Sequence, residues 1–497
     1  MFRSRAVRSL LKLYEPVWAI EYSTKALRWD VSTYMPRGAI EERGQALAKL
    51  NSLKRRLLLS PELKRALREA EREELNDYEK GVVRVLSREI ERYERVPEEL
   101  VEKEARVTAK ARKAWEEAKR RGDFGLFKDH LEKVVEVERR KAEYLASDGK
   151  LYDALLDLYE EGLTSDDVDR MFSELVNPLA TLFKRVLEEG TFPTKHPLEE
   201  EQYSAESMRY ANLLVLGRLG YDFERGRLDE SAHPFTINIG NNDVRITTWY
   251  HGRDFRRSLG AVVHEFGHAL YELQIDPWLA GTPVGTGVSM GIHESQSRFW
   301  ENLVWKTRAF AETFKPLLEP FLPFLKRYSS DDVYRYFCIV RPEFIRVEAD
   351  EVQYPLHIAL RYEVEKGLIE ETIGVEEVPQ IWNEKMEKYI GLTPPNDRLG
   401  CLQDVHWSEG YIGYFPTYAI GSILAAQVGK ALERELGPIE ELVREGRFGD
   451  LAMWLGEKIH RWGATYPPKE LVRRALGEPL NPRYFLEYLE RKYLKGA

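Results

Sequence analysis

RDFRRSLGAVVHEFGHALYELQ, residues 253–274, decides how this chain is read. Apolar residues recur through it at spacings of three and four, the period of a helix. The run closes at Asp276-Pro277, where a helix cannot continue. Inside it stands His264-Glu265-Phe266-Gly267-His268, an HExxH pattern. The chain has 10 histidines in 497 residues, so chance alone supplies roughly 0.02 such matches. Residues four apart on a helix project from one face, and both imidazoles therefore reach one metal ion. Glu265 follows the first ligand. It reaches a water at that ion without being a ligand itself.

A catalytic zinc site takes three protein ligands and keeps one position open. The longer HExxHxxGxxH pattern is excluded, because Tyr271 and Gln274 occupy the positions of its glycine and third histidine. Glu272, Glu294 and Glu301 remain. Glu272 lies on the same helix as the histidines, where convergence on the metal is awkward. Glu294 follows the glycine-rich loop GTPVGTGVSMG (281–291) and opens a new helix, ESQSRFWENLVWK, which can cross the first. Glu294 is the expected third ligand. Glu301, seven residues on and on roughly the same face, suits a role behind the ligands.

Outward from this stretch the texture is mostly helical. HPFTINIG (233–240) and DVRITTWY (243–250) are β-rich and share the plausible hairpin turn GNND. DVRITTWY is also a candidate strand edge for an extended peptide. Residues 98–121, EELVEKEARVTAKARKAWEEAKRR, are polar over most of a helix circumference. They read as an exposed helix laced with i,i+4 pairs, or alternatively as a dimer arm or cleft wall. The fold class is mainly α with a small β-sheet beside the metal site. Texture changes near Tyr221, and no linker separates independent domains. One catalytic domain over 1–497, with approximate lobes 1–220 and 221–497, is expected.

Composition narrows the function. Lysine plus arginine number 74 and aspartate plus glutamate 83, a net charge of −9. Without a long basic run, nucleic acid is a poor partner. No apolar run approaches membrane-spanning length, and no membrane association is expected. The basic N-terminus reads as an amphipathic helix, not a signal peptide. Cys338 and Cys401 are the two cysteines. So sparse a use of cysteine suits a reducing cytoplasm.

HESQ at 293–296, lying after HEFGH, resembles a signature of the carboxypeptidase Taq family of thermostable zinc metallocarboxypeptidases. HPF at 233–235, DVRIT at 243–247, IRVEAD at 345–350 and GCLQDVHW at 400–407 match further family signatures in order. YPLHI at 354–358 departs from the family pattern, with Pro355 where an asparagine is expected. The resemblance implies a large helical two-lobed fold with a deep active-site groove, similar to neurolysin-like peptidases. Residues 1–220 would then form a helical arm and groove wall. It also implies a homodimer and a metal-dependent carboxypeptidase of broad specificity, which releases single C-terminal residues from peptides with a free C-terminus.

In that chemistry His264, His268 and Glu294 hold Zn²⁺, with Co²⁺ or another divalent ion as a substitute. A water activated by the metal attacks the scissile carbonyl, and Glu265 is its general base. GYIGYFPTYAIG, from Gly410, offers Tyr411, Tyr414 and Tyr418 to the oxyanion. Related gluzincins use a tyrosine there, which favours Tyr418. A free carboxylate calls for arginine, whose fork binds it bidentately. Arg346 is the first choice and Arg245 the second, the latter against an ion pair with Asp243. His406 and His233 are donors to substrate or oxyanion. Asp404 joins the substrate-binding set as an acid that orients its neighbours. Alternatives are a zinc oligopeptidase, acting as endopeptidase or dipeptidyl carboxypeptidase, and a helical peptide-binding protein with a structural metal.

Overall fold

The computed structural model describes residues 2–147 and 149–495. Most of these are helical, with a small sheet among them, as the sequence predicts; the sheet has three strands, one more than the expected hairpin supplies. The chain forms two compact units and enters each three times. Unit 1 comprises Met1–Glu94, His196–Phe337 and Val428–Pro479; unit 2 comprises Arg95–Lys195, Cys338–Gln427 and Leu480–Ala497. The change of texture near residue 220 therefore marks the approach to the sheet inside unit 1, not a boundary between lobes.

In unit 1 the N-terminal segment forms the helix Arg5–Ser32, capped by the Ser4 side chain, which accepts from the Val7 amide at 2.9 Å. The sheet contains β1 (Gly226–Glu230), β2 (Thr236–Gly240) and β3 (Asp243–Thr248) in the order β1-β3-β2. β2 and β3 form the expected antiparallel hairpin, and β1 adds in parallel on the other side of β3. β3 is thus the central strand and both its edges are occupied. This corrects the expectation that DVRITTWY offers an edge to a peptide. The edge away from β3 belongs to β2.

β2 and β3 pack on the helix Phe255–Leu273, which carries HExxH. Phe255, Leu259, Val262, Val263, Phe266 and Tyr271 bury that helix on nearly every side. The helix Met290–Arg298 carries Glu294 and is capped by Ser289, whose hydroxyl accepts from the Ile292 amide at 3.2 Å. It runs on as a π-helical turn, Phe299–Trp305, a feature often found at functional sites. The two helices meet backbone to backbone at Gly267. A Cβ there would lie 2.5 Å from the Gln296 carbonyl oxygen and 2.6 Å from the Ser297 Cα.

In unit 2 the helix Glu98–Arg121 buries only Leu100, Ala111, Trp115 and Ala118. It carries the i,i+4 pair Arg112–Glu116 on its surface, the exposed-helix reading. The helix Tyr354–Ile369 takes Pro355 in its first turn, where no amide hydrogen is needed, so the departure from the family pattern leaves it intact. That helix also buries Arg361 and Glu365 completely. Cys338 and Cys401 are buried and are not joined in a disulfide. Among the described residues no helix is long and apolar enough to cross a membrane.

Candidate metal centre

Three ligand atoms converge in unit 1. Glu294 Oε2 lies 3.5 Å from His264 Nε2 and 3.4 Å from His268 Nε2, and the trio forms the candidate metal cluster among the described residues. Donors bound to a tetrahedral ion at about 2.0–2.1 Å sit about 3.3 Å from one another, so the spacing fits. Glu294, expected from the sequence as the third ligand, is the carboxylate that lies beside the two histidines.

Each histidine is braced from behind. Glu301 Oε2 accepts from His264 Nδ1 at 2.9 Å. A carboxylate only accepts, so Nδ1 of His264 is the donor here, which would leave Nε2 free to present a lone pair to a metal ion bound between the three groups. Burial raises the Glu301 carboxyl, but Lys306, Arg298 and His264 override it and hold the group well below the usual carboxylate range. His268 Nδ1 lies 2.8 Å from Nδ1 of His293, whose Nε2 lies 2.8 Å from Glu272 Oε1. Glu272, weighed as a ligand, instead stands at the far end of this chain. Arg298 Nε donates to Glu294 Oε1 at 2.7 Å. Burial is again overridden, by Arg298 with both ligand histidines, and Glu294 stays ionised far below the usual range.

Glu265 lies beside the ligands and is buried. The Thr236 hydroxyl, from the start of β2, donates to Glu265 Oε2 at 2.6 Å. Burial pushes the carboxyl above its ordinary value, against the pull of His264 and Thr236. Sequence reasoning missed Thr236 and His293. Thr236 directly follows the HPF motif and His293 is the first residue of HESQ, and those positions were the available signal.

Unit 2 holds a second constellation, built around Asp404. Arg346 Nε and Nη2 reach Asp404 Oδ1 at 3.0 and 2.8 Å, and Arg361 Nε reaches Oδ2 at 2.7 Å. Gln403 Oε1 accepts from the Arg346 amide at 2.8 Å and from Arg361 Nη2 at 2.6 Å. Arg346 Nη1 donates to the Tyr354 hydroxyl at 2.8 Å. Three of its five N–H groups are thereby used, and among the described residues the other two have no partner beyond these. The guanidinium lies 4.9 Å from the centre of the Tyr418 ring, and His406 Nε2 is 3.3 Å from the Tyr418 hydroxyl. Burial pushes His406 down to about 4, so it is neutral near pH 7. Burial raises Asp404, yet the two arginines and His406 hold it far below its ordinary value. Arg346, Asp404, His406 and Tyr418 are thus brought together. Arg361 was overlooked, although an arginine in so apolar a helix needs an acid partner.

The remaining expectations fare differently. Arg245 makes a bidentate pair with Asp243, 2.7 Å on each arm, and stacks 4.3 Å from the Trp29 ring. Its alternative reading, the local ion pair, is the one observed. His233 lies in the exposed segment before β2.

A helical protein in which an HExxH helix and a following glutamate converge three ligands, with a buried carboxylate alongside, is a metallopeptidase. Residues 9–493 match the carboxypeptidase Taq (M32) metallopeptidase family, and the chain belongs to that family. It is 46% identical over 496 residues to thermostable carboxypeptidase 1 of Pyrococcus furiosus, covering 99% of both chains. It is 38% identical over 470 residues to carboxypeptidase 1 of Bacillus subtilis, covering 94% of each. The structure of the Pyrococcus furiosus carboxypeptidase superposes with a TM-score of 0.98 over 99% of this chain and 100% of that one. The protein is a carboxypeptidase that depends on a divalent metal ion.

Proposed function

We propose that the enzyme is a zinc carboxypeptidase that releases C-terminal residues one at a time, with broad tolerance of side chain. The observation that carries this reading is the spacing of His264 Nε2, His268 Nε2 and Glu294 Oε2, with Glu265 buried beside them. An N₂O donor set leaving one position open suits catalytic zinc and also accepts cobalt. The bound ion supplies a Lewis acid for the scissile carbonyl and lowers the pKa of water. Glu265 takes the proton of the attacking water on its carboxylate and delivers it to the leaving amine. A carboxyl pushed up by burial suits both halves of that task. Thr236 holds the carboxylate in place.

His406 and Tyr418 donate to the oxyanion of the tetrahedral intermediate. Arg346 binds the terminal carboxylate of the peptide through its two uncommitted N–H groups. Asp404 orients Arg346 and does not itself touch substrate. The main chain of the peptide adds to the outer edge of β2, beside Glu265. Two buried cysteines that form no disulfide support a reducing compartment such as the cytoplasm. A homodimer is the assembly the family resemblance implies, and sedimentation tests it.

Mass spectrometry of products tests the central reading. Zinc-loaded enzyme is incubated with one mid-length peptide in free-acid and C-terminally amidated forms, beside an EDTA-treated sample. Single losses from the free C-terminus alone, abolished by EDTA, are expected. Internal cuts in both peptides would replace this reading with the oligopeptidase and remove the role given to Arg346.

A further inference from the structure

We propose that His293 is a positioning residue that fixes the tautomer of the metal ligand His268, with Glu272 as the anchor. The inference rests on the reading of His264, His268 and Glu294 as the metal ligands.

Glu272 is buried and surrounded by donors. Its Oε1 accepts from Thr286 Oγ1 at 3.1 Å, from the Gly287 amide at 3.0 Å and from His293 Nε2 at 2.8 Å, and Asn238 Nδ2 donates to Oε2. A carboxylate so placed accepts only, so His293 carries its proton on Nε2. In the tautomer with its single ring proton on Nε2, His293 presents Nδ1 as a bare acceptor. It lies 2.8 Å from Nδ1 of His268, which must be the donor. His268 therefore bears its proton on Nδ1 and turns an unprotonated Nε2 toward Glu294 Oε2, 3.4 Å away. The outcome matches that at His264, where Glu301 does the same directly. Here the carboxylate acts through an intervening imidazole.

The intervening ring is also clamped. A Cβ at Gly287 would lie 2.7 Å from His293 Cδ2 and 2.9 Å from Tyr271, so the loop closes directly over the ring. Tyr271 packs beside it, with centroids 5.0 Å apart. A ring held by both nitrogens and by loop contact cannot turn over and exchange donor for acceptor. Partners of this kind usually govern metal affinity, and their loss costs roughly 10–100-fold.

The test measures zinc and cobalt affinity by competition with a chromophoric chelator, alongside the thermal midpoint of each metal-free protein. His293→Leu removes the acceptor and is expected to weaken both metals by about 10–100-fold. His293→Asn offers an amide oxygen to His268 and is expected to recover most of that loss. Gly287→Ala displaces the ring without removing a polar group and is expected to weaken binding several-fold. His293→Leu within twofold of the parent, or His293→Asn as weak as a folded His293→Leu, would overturn the proposal. If His293→Leu does not fold, Gly287→Ala within twofold of the parent overturns it instead. His264→Ala separates the two levels of argument. If it leaves affinity unchanged, the metal-centre reading itself fails. If it abolishes binding while His293→Leu does not weaken it, only the role of His293 fails.

Discussion

Replacing Gly267 by alanine sets two effects against each other. Alanine is the better helix former by about 1 kcal/mol. Its Cβ, however, would meet the Gln296 carbonyl oxygen at 2.5 Å and the Ser297 Cα at 2.6 Å. Comfortable contacts begin near about 3.5 Å, so the two helices must separate by about 1 Å. Both contacted atoms are backbone, and no side chain can swing away. Overpacking of this kind costs about 1–3 kcal/mol, and the rigid neighbour favours the upper end. The net loss of stability is therefore about 1–2 kcal/mol. The metal should feel more. Glu294 moves with the backbone of Gln296, while His264 and His268 stay on the other helix. A shift of about 1 Å is several times the ±0.2 Å tolerance of metal–ligand distances. We expect zinc affinity, measured by chelator competition, to fall at least tenfold, with a smaller loss in urea unfolding of the metal-free protein. If Gly267→Ala instead gains about 1 kcal/mol, as propensity alone dictates, and binds zinc as before, the backbone contact does not set the ligand geometry.

Other expectations follow from the same contacts. Glu265→Gln keeps every ligand but removes the proton acceptor, so kcat should fall about 10²–10⁴-fold with zinc content unchanged; a milder loss argues against a general base there. Asp404→Ala leaves Arg346 and Arg361 buried without a counter-ion and should cost about 3–5 kcal/mol in denaturant unfolding; a change under about 1 kcal/mol contradicts the cluster as the centre of unit 2. Burial pushes Glu365 up to about 7, partly offset by hydrogen bonds from the Gly413 amide, Trp407 Nε1 and Tyr152. Its unfolded value is near 4.3, so between these values the folded state holds a proton the unfolded state has lost. Stability from this group is complete below about pH 4 and declines as pH rises toward 7, by at most a few kcal/mol. Glu365→Gln should flatten that slope in urea titrations run from pH 4 to 8, and an unaltered slope refutes the assignment.

Some of this architecture was legible in the sequence because its signals are local. The i,i+4 histidines, a glutamate on the next helix and another seven residues later follow from helical spacing, although that helix begins at Met290 and not at Glu294, and the β2–β3 hairpin follows from its turn residues. The unread parts depend on distant partners. GRLDE, residues 226–230, has no strand-like composition, and it becomes β1 only by pairing with β3. DVRITTWY reads as an edge until that partner arrives. Arg346 and Arg245 look alike in one dimension. One shares a buried aspartate with Arg361, and the other is held by its neighbour two residues away. Nor does any composition shift mark the two units, because each is gathered from three separated stretches.

That threading bears on how the chain comes off the ribosome. His460 Nδ1 lies 2.6 Å from Gln274 Oε1 at the end of the HExxH helix, and Nε2 lies 2.8 Å from Gln296 Oε1, two residues beyond Glu294. His460 follows Gln274 by 186 residues. At about 5–20 residues per second, its synthesis lags by roughly 10–40 s. For most of that interval, once Glu294 and Gln296 have been made, the nascent chain already carries all three candidate metal ligands, yet both glutamines still lack the histidine they meet in the finished fold. Each unit draws on a late stretch of the chain, Val428–Pro479 for unit 1 and Leu480–Ala497 for unit 2, so neither can complete its contacts until that stretch has been made.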